Sequence, residues 1–185
     1  MTNFLKQDLE QALSDMEQLA KLIGFEPFDV YLLGGSGCVL GGYLERATRD
    51  IDVVDLDYKA SLGRVFKLLE PCDMIDLRLA AIPPSFRARA VRLEQYEFLR
   101  VYVLSREDII ISKLTRYNLR DRDDISILWN MSSLSLIFAL AKEVLLTDLL
   151  LSAKEAFLHN FARCLEENHV PDYMQQLEEL RKGFQ

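Results

Sequence analysis

The stretch LLGGSGCVLGGYLERATRDIDVVD runs from Leu32 to Asp55. The short apolar run Val30–Leu33 reads as a strand. It ends at Gly34-Gly35-Ser36-Gly37, which releases the backbone into a turn and a short helix reaching about Glu45. A second strand is expected over Asp50–Asp57, DIDVVDLD.

In Asp50-Ile51-Asp52 the two carboxylates are at i and i+2. On a strand this puts both on one face, with Cα atoms about 7 Å apart, while Ile51 and Val53 take the opposite, buried face. Side chains so placed can converge on one divalent ion, or on two ions about 3.5–4 Å apart. Unneutralised, they repel each other. Mg²⁺ suits them, because it accepts a few carboxylates together with waters and phosphate oxygens. Gly34, Gly35 and Ser36 supply the complementary half. Glycines let backbone N–H groups approach phosphate oxygens, a following helix N-terminus favours an anion, and the Ser36 hydroxyl adds a donor.

Two other readings stand beside this one. Gly35-x-Gly37-x-x-x-Gly41, with Asp55 or Asp57 about twenty residues on, approximates a dinucleotide-binding fingerprint. That reading leaves Asp50 and Asp52 unexplained and lacks later βα units to complete a doubly wound sheet. Alternatively, the glycines only turn a strand into a helix and the Asp-x-Asp only opens a solvated strand. Each half alone is common; the two together at this spacing point to a phosphate cradle facing a metal-binding carboxylate pair.

GGSGCVLGGYLERATRDIDV resembles the signature of the DNA polymerase β-like nucleotidyltransferase superfamily: Gly-Ser on a turn, about a dozen residues, then Asp-x-Asp. The Arg-x-Thr-x-Asp-Ile-Asp form is similar to the minimal bacterial nucleotidyltransferases, including abortive-infection and type IV toxin–antitoxin enzymes and related domains with no assigned substrate. Downstream, LSREDIIISKLTRYNLRDRDDISIL resembles a second family motif. Lys113 matches its lysine, and Arg120, Asp121 and Asp124 match its Arg-Asp-x-x-Asp. The resemblance implies an α/β (α+β) fold: a small mixed β-sheet of the nucleotidyltransferase type with flanking helices and a C-terminal helical half. It also implies a nucleoside triphosphate substrate, two Mg²⁺ ions and transfer of a nucleoside monophosphate to a hydroxyl. Asp50 and Asp52 would hold metal, with Gly34, Gly35, Ser36 and Lys113 on the phosphates. A third carboxylate is expected on a neighbouring strand, for which Asp76 stands first by position with Asp73 behind it, or Asp124 completes the site; the alternative, if Asp76 points away from Asp50 and Asp52, is a non-catalytic binding module or toxin–antitoxin component on the same fold. Equally, Asp76 and Arg78 alternate on the polar face of a half-buried strand.

Lys113 and Asp124 are eleven residues apart, about 16 Å along one unbroken helix. They share a site only if the chain turns between them, most naturally at Asn118–Asp121 with Asp121 capping the next helix. Asp121 and Asp124 also suit a purely local part as helix-start acids. Arg87, Arg89, Arg92 and Arg100, set against Glu94 and Glu97, form the locally basic stretch near the expected site; such a run either steers RNA or a triphosphate or is a solvated face.

Around these motifs, Leu5, Leu9, Leu13, Met16, Ala20 and Ile23 recur every three or four residues, which predicts an amphipathic helix over 3–23 closed by Gly24. Ala60–Leu69 is expected helical, Met74–Leu79 a strand, and Phe98–Leu104 a strand in a hairpin. Ser105 to Asp108 reads as a capping box, followed by helices over 106–117, 122–131, 134–168 with room for a break, and 171–181. The organisation expected is a core of residues 1–104 with its N-terminal helix, and a helical half, 105–185, packed on it as one unit.

The bulk properties limit the partners. The chain has 185 residues, 50% of them hydrophobic, and a net charge of −7. That balance argues against bulk attraction to duplex DNA, while leaving a nucleotide or one RNA end to a local basic site. The expected partners are therefore the triphosphate, an RNA, protein or small-molecule acceptor, and a cognate antitoxin or a second copy. Three widely separated cysteines without CxxC spacing suggest neither zinc nor a disulfide framework. The N-terminus shows no signal-peptide pattern, and charges interrupt the apolar run 134–151, so a cytoplasmic protein with no membrane span is expected. A Walker-type P-loop is missing, and His159 and His169, the two histidines, fall in the C-terminal helices, which disfavours a histidine triad.

Overall fold

The structure is a computed structural model and describes residues 3–77 and 79–183; Arg78 lies outside the described residues. The chain divides into two units, Met1–Asp76 with Arg89–Ser105, and Leu77–Ala88 with Arg106–Gln185. Residues 77–88 therefore belong with the C-terminal helices.

The first unit starts with α1, Lys6–Ile23, whose Leu9, Leu13, Met16 and Ala20 are buried as their spacing demands. Leu5 and Ile23 close the periodic series but stay 52% and 44% exposed. Gly24 ends the helix in the left-handed region at φ 83°. Its N–H and that of Phe25 return to the carbonyls of Lys21 and Ala20, a glycine-terminated C-cap.

The sheet has five strands in the order β3-β2-β1-β5-β4. They are β1 (Asp29–Leu33), β2 (Ile51–Val54), β3 (Cys72–Ile75), β4 (Val91–Arg92) and β5 (Arg100–Val103). β1 runs parallel to β5 and β2 parallel to β3, while β1–β2 and β4–β5 are antiparallel. The mixed sheet matches the expected fold class, and β4–β5 is the expected hairpin. The antiparallel β1–β2 pairing disposes of the dinucleotide reading, because that fingerprint needs the glycine turn inside a parallel βαβ unit.

Val30 and Leu32 of β1, Ile51 and Val53 of β2, and Val101 and Val103 of β5 form one core with the buried side of α1. Leu62, Val65, Phe66 and Leu69 join it. They come from the helical run 60–69, which contains α3 (Gly63–Phe66) between two 3₁₀ turns. Between β1 and β2 the helix α2, Gly34–Leu40, is shorter than expected. The glycines form its first turn instead of a loop ahead of it. Residues 41–50 then cross to β2 without regular structure apart from a bridge between Thr48 and Phe4.

The second unit carries α4 (Arg106–Lys113), α5 (Leu119–Trp129), α6 (Leu134–Leu145), α7 (Leu151–Glu167) and α8 (Tyr173–Lys182). The expected 134–168 helix is broken at 146–150, where the Thr147 hydroxyl donates to the carbonyl of Val144 and accepts from the amide of Leu149. Hydroxyls that bond neighbouring main chain in this way compete with helix continuation. Phe157 and Phe161 of α7 are fully buried. No helix of the described residues is long and apolar enough to cross a membrane.

Candidate active site

Asp52 lies inside β2, opposite Leu33 of β1 and opposite Asp73 of β3. Ile51 and Val53 enter the core at 1% and 0% exposure, so the pleat sends Asp52 to the other face. Asp50 stands one residue ahead of β2, in the bend that leads into it. The two carboxylates are thus held on a bend and a short strand, not on the longer strand expected over Asp50–Asp57. That strand stops at Val54, and Asp57 turns the chain at φ 57° with its amide donating to the Asp55 carboxylate.

The glycine turn and the Asp-x-Asp meet directly. A Cβ placed on Gly34 would lie 1.8 Å from Oδ2 of Asp52 and 2.6 Å from its Cγ, so the Asp52 carboxylate occupies the space that a side chain at 34 needs. Gly34 is also at φ 60°, a conformation that costs an L-residue ~1–2 kcal/mol. Glycine is therefore required twice. The neighbouring Gly35 is backed by the next segment: its Cβ would meet Thr48 Oγ1 at 2.6 Å and Arg46 Nη2 at 3.3 Å. Gly34, Gly35 and Ser36 are buried. As the first residues of α2 they have amide N–H groups without acceptors inside the helix.

Ser36 joins two elements of the site. Its hydroxyl donates to the carbonyl of Leu33 at 3.1 Å and accepts from the amide of Asp52 at 3.0 Å. The side chain is fully buried and ties the start of α2 to β2, fixing the turn against the carboxylate strand.

The parallel register of β2 and β3 sets Asp73 beside Asp52, on the same face of adjacent strands. Asp76 follows β3, beyond its last paired residue, Ile75. The expected strand Met74–Leu79 is placed two residues too late for this to be read from sequence. Among the described residues no three His, Cys, Asp or Glu side chains gather into one metal-binding group. Cys72, next to this pair on β3, has its thiol pushed up to about 12 by burial and then by the charges of Asp73, Asp52 and Glu70. None of the three cysteines is in a disulfide.

The second unit contains the other predicted residues. Lys113, at the end of α4, is 4% exposed, and its Nζ lies 3.0 Å from Asp121 Oδ1 and 3.0 Å from Asp124 Oδ2. The chain does turn between them, but Asn118, not Asp121, caps α5. The Asn118 side chain accepts from the amide of Asp121, and the Asp121 carboxylate accepts from the amide of Asn118, a reciprocal capping box. Burial draws the Lys113 pKa down; Asp124 and Asp121 together outweigh it and leave it above the usual lysine value. Arg116, largely exposed, adds a second cation 3.7 Å from Asp121.

The arginines of the basic stretch have separate partners. Arg100 is committed to Asp29 and to the carbonyl of Pro27, and Arg92 pairs with Glu94 at 3.5 Å. Arg87 belongs to the second unit and lies over the Phe86 ring. Arg46 and Thr48 are two further residues of this site whose parts are not evident from sequence. The signal was their spacing, Arg-x-Thr-x-Asp, which puts both on the segment that folds back onto Gly35.

No curated protein and no solved structure matches the chain. A family model described as "Nucleotidyltransferase of unknown function (DUF6036)" matches residues 7–164. That span takes in the glycine turn, the Asp-x-Asp and the Lys113–Asp124 motif, and the chain belongs to this nucleotidyltransferase family.

Proposed function

We propose that this protein moves a nucleoside monophosphate from a nucleoside triphosphate to a hydroxyl of an RNA, protein or small-molecule acceptor, in a magnesium-dependent reaction at the Gly34–Asp52 site. The observation that carries this reading is the contact between the Asp52 carboxylate and the Cα of Gly34. It joins the phosphate-binding turn and the acidic strand into a single place. The donor set fits a hard divalent ion: Asp50 and Asp52, which offer carboxylate oxygens only, would hold Mg²⁺, an ion that takes a few such oxygens. When bound, the metal neutralises charge on the reacting phosphate and lowers the pKa of the attacking hydroxyl.

The chain's own residues do the rest. The first-turn amides of α2 and the Arg46 guanidinium beside Gly35 orient the triphosphate. Ser36 keeps the turn and the Asp52 strand in fixed relation through its two hydrogen bonds. The acceptor oxygen forms a bond to the α-phosphorus as the bond from that phosphorus to the bridging oxygen breaks, and pyrophosphate leaves. The acceptor's proton goes to a carboxylate oxygen beside Asp52, a part assigned here to Asp73 on the support of its register opposite Asp52.

Isothermal titration with ATP, CTP, GTP and UTP in the presence of Mg²⁺, on the wild type and on Asp52→Asn, tests the reading. Binding of at least one nucleotide, lost in the variant, supports it. Folded wild-type protein that binds none of the four rejects it.

A further inference from the structure

The ten residues between α2 and β2 have almost no regular structure, yet they carry Asp50. A carboxylate at the end of such a segment keeps its position only if something pins it. Thr48 does this from three directions. Its main chain pairs both ways with Phe4, with N···O distances of 2.7 and 3.0 Å. Its hydroxyl donates to the carbonyl of Asp50 at 3.3 Å. The same hydroxyl oxygen stands 2.6 Å, and its Cβ 3.4 Å, from where a Cβ on Gly35 would be. The side chain is fully buried, and a β-branched residue has few rotamers to escape into.

We infer that Thr48 is a positioning residue of the nucleotidyl-transfer site: wedged between Gly35 and the main chain of Asp50, it sets the spacing between the phosphate-binding turn and the first carboxylate. This rests on the function proposed above. Its geometry explains two sequence features together, the absence of a side chain at Gly35 and the threonine two residues before Asp50. Valine at 48 keeps the wall and removes the hydrogen bond. Serine keeps the hydrogen bond and removes a methyl group.

Two measurements decide it. In steady-state kinetics with Mg²⁺ and the nucleotide found to bind, Thr48→Val is expected to lower kcat ~10-fold or more, the scale of losing a partner that orients a metal ligand, with little change in nucleotide KM. Thr48→Ser is expected to recover most of the loss. A Thr48→Val enzyme with wild-type kcat overturns the inference. Independently of turnover, thermal melts of Gly35→Ala, Thr48→Ala and the double variant read the wedge directly. The melting temperature lost in Gly35→Ala is expected to be at least half recovered when the threonine is also truncated. Strictly additive losses overturn the inference even if the wild type uses no nucleotide, an outcome that separately rejects the proposed function.

Discussion

The Asp52 carboxylate lies over the Cα of Gly34, in the volume where any other residue at position 34 would carry its Cβ. Gly34→Ala is expected to force the carboxylate aside and to hold alanine at φ 60°, with a backbone cost of ~1–2 kcal/mol before the collision is counted. Urea unfolding should show that loss, and titration should show nucleotide binding abolished. Wild-type binding in the alanine variant would separate the turn from the acidic strand.

Asp52→Asn removes the charge and keeps the main-chain bond from its amide to Ser36. Turnover is expected to fall ~10²–10³-fold, as when one charge-stabilising group leaves a preorganised site. The unfolding midpoint should stay near that of the wild type. Circular dichroism alongside a pyrophosphate-release assay reads both.

Register sets two of the candidates for the third carboxylate at different distances along β3 from Asp52. Asp73 is opposite Asp52, whereas Asp76 follows the last paired residue of β3. Asp73→Asn should therefore reduce kcat more than Asp76→Asn, each measured at saturating nucleotide and Mg²⁺. The opposite order would return the part to Asp76.

Lys113 is the cation of a buried triad, with Asp121 and Asp124 both 3.0 Å away. Lys113→Met leaves two buried carboxylates short of their partner and is expected to cost about 3–5 kcal/mol. Adding Asp121→Asn and Asp124→Asn should recover a large part of it. Denaturant melts of the single and triple variants measure the difference.

Stability is expected to be lost in alkali. Burial, and then Glu10, pushes the Tyr96 phenol up to about 12, and burial above all pushes the Cys164 thiol up to about 12. Tyr117, buried and bonded to Glu167, and Lys113 are also raised. Every one of these groups holds its proton more tightly folded than unfolded. Their contribution is thus complete below the unfolded values, from 9.0 for the thiol to 10.5 for the lysine. It is lost as pH rises through the folded ones. Urea midpoints should be level from pH 7 to about 9 and fall steadily above that; a midpoint that holds to pH 11 would contradict the burial of these groups.

The sequence by itself determined what depends on neighbours along the chain. The period of Leu9, Leu13, Met16 and Ala20 identified α1, and Gly24 marked its end, because apolar spacing and a left-handed cap are local properties. Gly34-Gly35-Ser36, Asp50 and Asp52 were legible for the same reason, as residue types at a spacing that suits a turn and a strand. Only the tertiary structure decided what pairs with what. Whether β2 runs parallel or antiparallel to β1, and whether Asp73 or Asp76 falls beside Asp52, depends on hydrogen-bond register between strands, and a shift of one residue reverses every face. Ser36 and Lys113 show the same division: a hydroxyl or an ammonium can be recognised from sequence, but its commitment to Asp52 or to a pair of buried carboxylates is set by groups brought close through folding.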